Sequence, residues 1–287
     1  MKELFRVNVV ELTDEQLADL KVISFAEPLP FAVSMAENEI KARYGDTVSV
    51  LTKGKSLLKF GRNDDLDPGT RETIWLNGGT ETLPTTNAID TVSSNNAGDT
   101  QDLYVEYHTV SGTGADATYT FGTQTATLNG QNKVTLTVPC ARVSRMYNLG
   151  STAFAGNIYC YEDGTVTGGV PDDNSTVHAT ISAGDEQTFK AATTVANTDY
   201  MIVTAVYGSV KRSTSAVIDF RFETAAPGEV FRPRFEFSGT QSAGVSFVKF
   251  DPYIIVPKNY DVRVTGETNT NNTTADAGFQ AYFAQIV

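Results

Sequence analysis

Beyond residue 70, polar and apolar positions alternate with a period of two along much of the chain. In AVIDFRFE, Ala216, Ile218, Phe220 and Phe222 fall on one side, and Val217, Asp219, Arg221 and Glu223 on the other. FRPRFEF sets Phe231, Phe235 and Phe237 against Arg232, Arg234 and Glu236, while DLYVEYH, NKVTLTV and NYDVRVT alternate in the same way. Successive side chains of a strand point to opposite faces, so each run predicts a strand with one buried and one wet face. The segments between them, such as LNGQN, SAGDE, TAAPGE and TNTNNTTADAG, are rich in the residues that form turns. About fifteen short strands with no helical period between them exclude a βαβ protein. They predict a mainly β fold: an antiparallel, jelly-roll-like sandwich, with two sub-sheets divided near residue 140.

The first sixty residues read differently. LTDEQLADLKVI, residues 12–23, predicts a short helix: Thr13 caps it, Asp14 and Glu15 suit its first turn, and Leu17, Leu20 and either Val22 or Ile23 form a short apolar stripe. Pro28 and Pro30 stop it. Six of the eleven lysines precede residue 61. The expected organisation is an N-terminal arm or docking segment over 1–60 and a β region over 61–287.

Composition narrows the class. Hydrophobic residues make up 40% and charged residues 20%, as in a folded domain. The 34 acids outnumber the 22 bases, and the pI is near 4.6. Such a surface repels nucleic acid and anionic lipid, so neither is an expected partner. No apolar run approaches the roughly 20 residues that span a bilayer, and MKELFRVNVVELTDEQ does not read as a signal peptide. Accumulation in a cytoplasm is therefore expected, with no disulfide framework.

Little in the chain asks for chemistry. Cys140 and Cys160 stand alone, without the CxxC pairing of a redox or zinc site, and Cys160 is flanked by Tyr159, Tyr161, Glu162 and Asp163. They are expected to be small packed residues on neighbouring strands. His108 and His178 lack a nucleophile-elbow or comparable motif and are expected at solvent or at an interface. Asn63, Asp65 and Asp67 have the spacing that opens a calcium loop. Pro68 and Ile74 then occupy the positions where that loop needs Gly and Glu. No catalytic residue, cofactor or metal is expected.

One stretch carries a resemblance. TLNG (Thr127–Gly130), RVSRMYN (Arg142–Asn148), GNIYCYED (Gly156–Asp163) and the closing GFQAYF (Gly278–Phe283) follow one another as in a broad group of tailed-bacteriophage virion structural proteins, which residues 60–287 resemble. The resemblance implies a β-sandwich virion component without catalytic residues, made in the host cytoplasm. On that footing the expected role is a capsid decoration or cement protein, or a head fibre, bound to the major capsid protein as a homo-oligomer, most simply a trimer. The alternative is a tail or baseplate component that binds a receptor, and a third reading is a polysaccharide depolymerase. Residues 1–60 are too short and irregular for a fibrous stalk, which favours the head. Arg221, Arg232 and Arg234, on the wet side of aromatic strands, are the expected interface residues.

Overall fold

The computed structural model describes residues 51–211, 216–240 and 244–286, so the expected helix at 12–23 and most of the arm lie outside the described residues. The first strands are β1 (Leu51–Leu66), β2 (Glu72–Thr73), β3 (Ile89–Ser94), β4 (Asp102–Ser111), β5 (Thr118–Thr127), β6 (Val134–Cys140), β7 (Arg142–Asn148), β8 (Ile158–Glu162) and β9 (Val166–Thr167). There follow β10 (Val170–Pro171), β11 (Val177–Ile181), β12 (Ala192–Thr194), β13 (Asp199–Val210), β14 (Val217–Ala225), β15 (Arg232–Thr240), β16 (Val245–Val256), β17 (Asp261–Thr268) and β18 (Thr273–Ile286). The fold is mainly β, and every pair of neighbouring strands is antiparallel, as the alternation predicts.

The strands build two sandwich-like bodies. In the larger, the sheet β1-β18-β13-β16 faces the sheet β12-β17-β14-β15, with β2 added against β17. Their shared core is aromatic: Phe220 stacks on Phe237 at 5.2 Å, and Phe222 meets Phe279 of the opposite sheet edge-on at 5.5 Å. Gly208 makes room for this, since a Cβ there would lie 2.6 Å from the Phe220 ring. In the smaller body, β11-β8-β3-β6 faces β5-β4-β7 across a core of Ile89, Leu103, Val105, Met146, Ile158, Ile181 and both cysteines.

The smaller body is an insertion: all seven of its strands lie between β2 and β12 of the larger one. This differs from a division near residue 140. The strands on either side of that position, β6 and β7, belong to the two facing sheets of the same body, and the chain crosses between them at the buried Ala141. Both bodies are β with the same turn residues, so neither periodicity nor composition changes where the insertion begins and ends. Similarly, β1 starts at Leu51, ten residues before the lysine-rich region ends; Lys55 and Lys59 are strand residues.

Candidate functional site

Five buried charged residues, Lys59, Glu81, Arg142, Lys190 and Asp261, lie along one seam, where β7 of the smaller body meets β12, β17 and β1 of the larger. Burying a charge is costly unless hydrogen bonds and an opposite charge replace water, so the donors of each cation can be counted. Arg142 has five N–H groups and uses all of them. Nε and Nη2 donate to the two oxygens of Asp261 at 2.9 and 2.8 Å, and Nη2 also donates to the Tyr119 hydroxyl at 2.8 Å. Nη1 donates to the carbonyls of Ala141 and Pro84 at 2.8 and 2.5 Å. Burial works against its charge, but the bidentate Asp261 bond outweighs this and leaves the guanidinium above its ordinary pKa. Thr194 completes Asp261 with a 2.6 Å hydroxyl bond.

Lys190 is equally well met. Its ammonium donates to Glu81, to the Val143 carbonyl at 2.9 Å and to the His178 carbonyl at 2.8 Å, and lies 5.7 Å from the centre of the Trp75 ring. Lys59 contrasts with both. It reaches from β1 across the seam to one acceptor, the backbone carbonyl of Ser144. Burial, reinforced by Arg145 and Lys190, lowers its pKa to about 7.

The cavity between these groups, lined by Glu81, Arg142, Ser144, Lys190, Thr193 and Asp261 among others, has a volume of about 10 Å³, room for roughly one water molecule. The Ser144 hydroxyl lies 3.1 Å from Thr193 Oγ1 and 3.4 Å from His108 Nδ1. A Ser–His–Asp relay needs the acid to hold the imidazole. Asp261 instead gives its oxygens to Arg142 and Thr194. Burial depresses His108 to about 3. The charged groups of the seam are paired mainly across the two bodies, Arg142 with Asp261 and Lys59 with the Ser144 carbonyl.

No protein-family profile matches the chain, and no curated protein matches it. Among solved structures it is similar to a chain of "Structure of infectious bursal disease virus Gx strain", at 10% identity over 83% of this chain and 78% of that one, with a TM-score of 0.19. That score carries no argument about fold or function.

Cys140 and Cys160 are free and buried, separated by β3, which pairs with Cys140 through Ile89 and with Cys160 through Val92. Burial pushes the Cys140 thiol up to about 12 and Cys160 well above its usual range, so both are poor nucleophiles. Both histidines are buried, which corrects the expectation of solvent or interface positions: His108 faces the seam, and His178 is 1% exposed, with Nε2 3.0 Å from Glu162 Oε1. Asn63 is also buried, its amide donating to Glu72 at 2.9 Å and its oxygen accepting from the backbone of Asp65.

The three arginines do not share one face. Arg221 of β14 stands opposite Glu236 of β15 and pairs with it at 2.5 Å. A bulge between Phe222 and Glu223 then shifts the register, so that Arg232 stands opposite the inward-facing Thr224. Cross-strand partners point to the same side, which puts Arg232 on the other side of the sheet from Arg221. Arg232 pairs with Glu229 at 3.0 Å, and Arg234 is exposed at the bulge. The seam residues Lys59, Glu81, Arg142, Lys190 and Asp261 carried no signal in the sequence. Asp261 sits on the wet side of NYDVRVT, and only the tertiary contact with a strand more than a hundred residues away buries it.

Proposed function

We propose that the protein is a non-enzymatic structural component of a tailed-bacteriophage virion, working as a capsid decoration or cement protein or a head fibre on the major capsid protein. The observation that carries this reading is the match between the motif order and the architecture. RVSRMYN coincides with β7, GNIYCYED contains β8, and GFQAYF lies within β18. TLNG forms the turn after β5, where the Gly130 N–H donates to the carbonyl of Asp99 at 2.8 Å and the Gly130 carbonyl accepts from Ser94. We read the larger body as a jelly roll. Its eight main strands, numbered along the chain, take the sheet orders 1-8-3-6 and 2-7-4-5, the wrapped double-sheet arrangement recurrent in viral capsid and lectin domains.

In this reading the subunits associate as a closed trimer through the β14–β15 sheet. Arg234 is its leading contact, because Arg221 and Arg232 already have acids within the chain. Proteomics of purified particles, followed by gold-labelled antibody on separated heads and tails, tests the assignment. Labelled heads are expected. Label confined to tails selects the tail or baseplate alternative, and absence from particles refutes both. Arg234→Glu is expected to give folded monomers by light scattering; an unchanged mass would remove this sheet from the interface.

A further inference from the structure

Three buried cations cross one seam, and two of them are fully satisfied. Lys59 is not. An ammonium carries three donors and no acceptor, yet among the described residues Lys59 meets only the Ser144 carbonyl, on the strand β7 that the smaller body presents to β1. The groups around it, element by element, do not supply what is missing. From β4 come Glu106 and the neutral His108, and from β7 come Arg142 and Arg145. The segment before β12 brings Lys190, the segment after β2 brings Glu81, and β17 brings Asp261. From β13 the Tyr207 hydroxyl donates at 2.9 Å to the backbone carbonyl of Lys59 itself. Arg142 takes Asp261 and Lys190 takes Glu81. Glu106 remains as the single unclaimed acid, with Arg145 standing opposite it across the β4–β7 pair. Above about pH 7 the side chain is therefore held as an amine, with one N–H bonded to a carbonyl.

We propose that Lys59 is a charge-gated latch between the two bodies: as an amine it lets β7 seat against β1, and as an ammonium it favours opening of the seam so that water can complete its hydrogen bonds. The direction follows from linkage. In the closed seam the group holds its proton only below about pH 7, whereas in an open, hydrated seam it keeps the ordinary lysine value of about 10.4. Between those limits the open state binds more protons than the closed one. The opening equilibrium therefore rises about tenfold for each unit by which pH falls, and it levels off below about 7. Among the remaining groups, His108 changes charge near pH 3 and Tyr207 near 12, outside this window.

Two amides report the seam directly. Asn197 N–H donates to the Tyr119 carbonyl at 2.8 Å, and Tyr119 N–H donates to Asn259 Oδ1 at 2.9 Å, each crossing between the bodies. Hydrogen exchange on the full chain, corrected for intrinsic rates, is expected to show opening at these amides increasing about fiftyfold from pH 9 to pH 7. Core amides of β14 should stay flat, and Lys59→Met should abolish the slope. The same slope in Lys59→Met, or no slope in the wild type, overturns the proposal. A measurement free of any variant is the 13Cε titration of the lysines. One midpoint near 7 is expected, and no lysine midpoint below 9 overturns the proposal whatever the variant does.

Discussion

The two bodies follow the same surface rule and differ inside. The larger is filled by rings, with Phe220, Phe222, Phe237 and Phe279 in contact across and along its sheets. The smaller has a mainly aliphatic and sulfur core in which Tyr107 and Phe154 are the ring residues, and its loop end is tied by side chains to backbone. Asp99, 1% exposed, accepts from the Ser94 hydroxyl at 2.6 Å and from the N–H groups of Ala155 and Gly156 at 2.8 and 2.9 Å. Gly169 lets the next loop close over it, since a Cβ there would lie 1.9 Å from the Ser94 carbonyl. Both sandwiches bury an apolar core; the larger adds contacts between rings, and the smaller adds satisfied polar groups in tight loops. They should fail under different stresses.

Acid should separate them most. His108 and His178 both belong to the smaller body, and burial lowers each to about 3 from an ordinary 6.5. Between those values the folded state binds fewer protons than the unfolded one. Stability contributed by the neutral rings is therefore complete above about pH 6.5 and is lost as pH falls toward 3, by several kcal/mol in all. Residue-resolved NMR from pH 7 to pH 3 should lose the signals of β3–β11 before those of β13–β18. Simultaneous loss would show that the histidines do not set the order.

Truncating a ring should hit the other body. Phe220→Ala is expected to cost about 3–5 kcal/mol in denaturant unfolding, with hydrogen exchange rising first in β14 and β15. A cost under 1 kcal/mol would mean that this core can repack around the loss.

Asp99→Ala comes next, at about 2–3 kcal/mol. Its effect should appear as faster exchange at residues 94–99, 130 and 155–156, while β14 is unaffected. If β14 loosens equally, the loop end and the larger core are one cooperative unit. The smallest effect is expected from Cys140→Ala combined with Cys160→Ala, about 1–3 kcal/mol of packing. Reductant should not move the melting temperature of the native protein. A fall would reveal a bond between thiols that are separate in this structure.

Strand identity and facing were readable because period-two alternation is a local property. Ile218, Phe220 and Phe222 are buried and Val217 and Asp219 exposed, as AVIDFRFE implies. Insertion was not readable: the chain leaves the larger body after β2 and returns at β12 with no change of residue type. The seam was hidden for a related reason. Glu223 and Asp261 sit on strand faces that alternation assigns to water, and they are buried because a partner element covers them: Arg263 meets Glu223 at 2.8 Å and Arg142 meets Asp261. The bulge that moves Arg232 away from Arg221 depends on cross-strand register, which a single strand's sequence does not record.

The pairing of β1 with β18 has a mechanical consequence. Leu51 stands opposite Ile286 and Leu66 opposite Thr273, so the first and last described strands are zipped together along nearly their whole length, with their outer ends side by side. Tension applied between those two ends would part the ladder one hydrogen bond at a time, the weak direction for a sheet. Tension entering through Leu51 and leaving through the inserted body would shear many bonds at once. Single-molecule pulling in the two geometries should therefore give a low, gradual rupture in the first and a high, abrupt one in the second. Equal rupture forces would show that another contact bears the load. A subunit anchored by both ends of this pair would peel from its outer end inward, with the inserted body the last part to feel the strain.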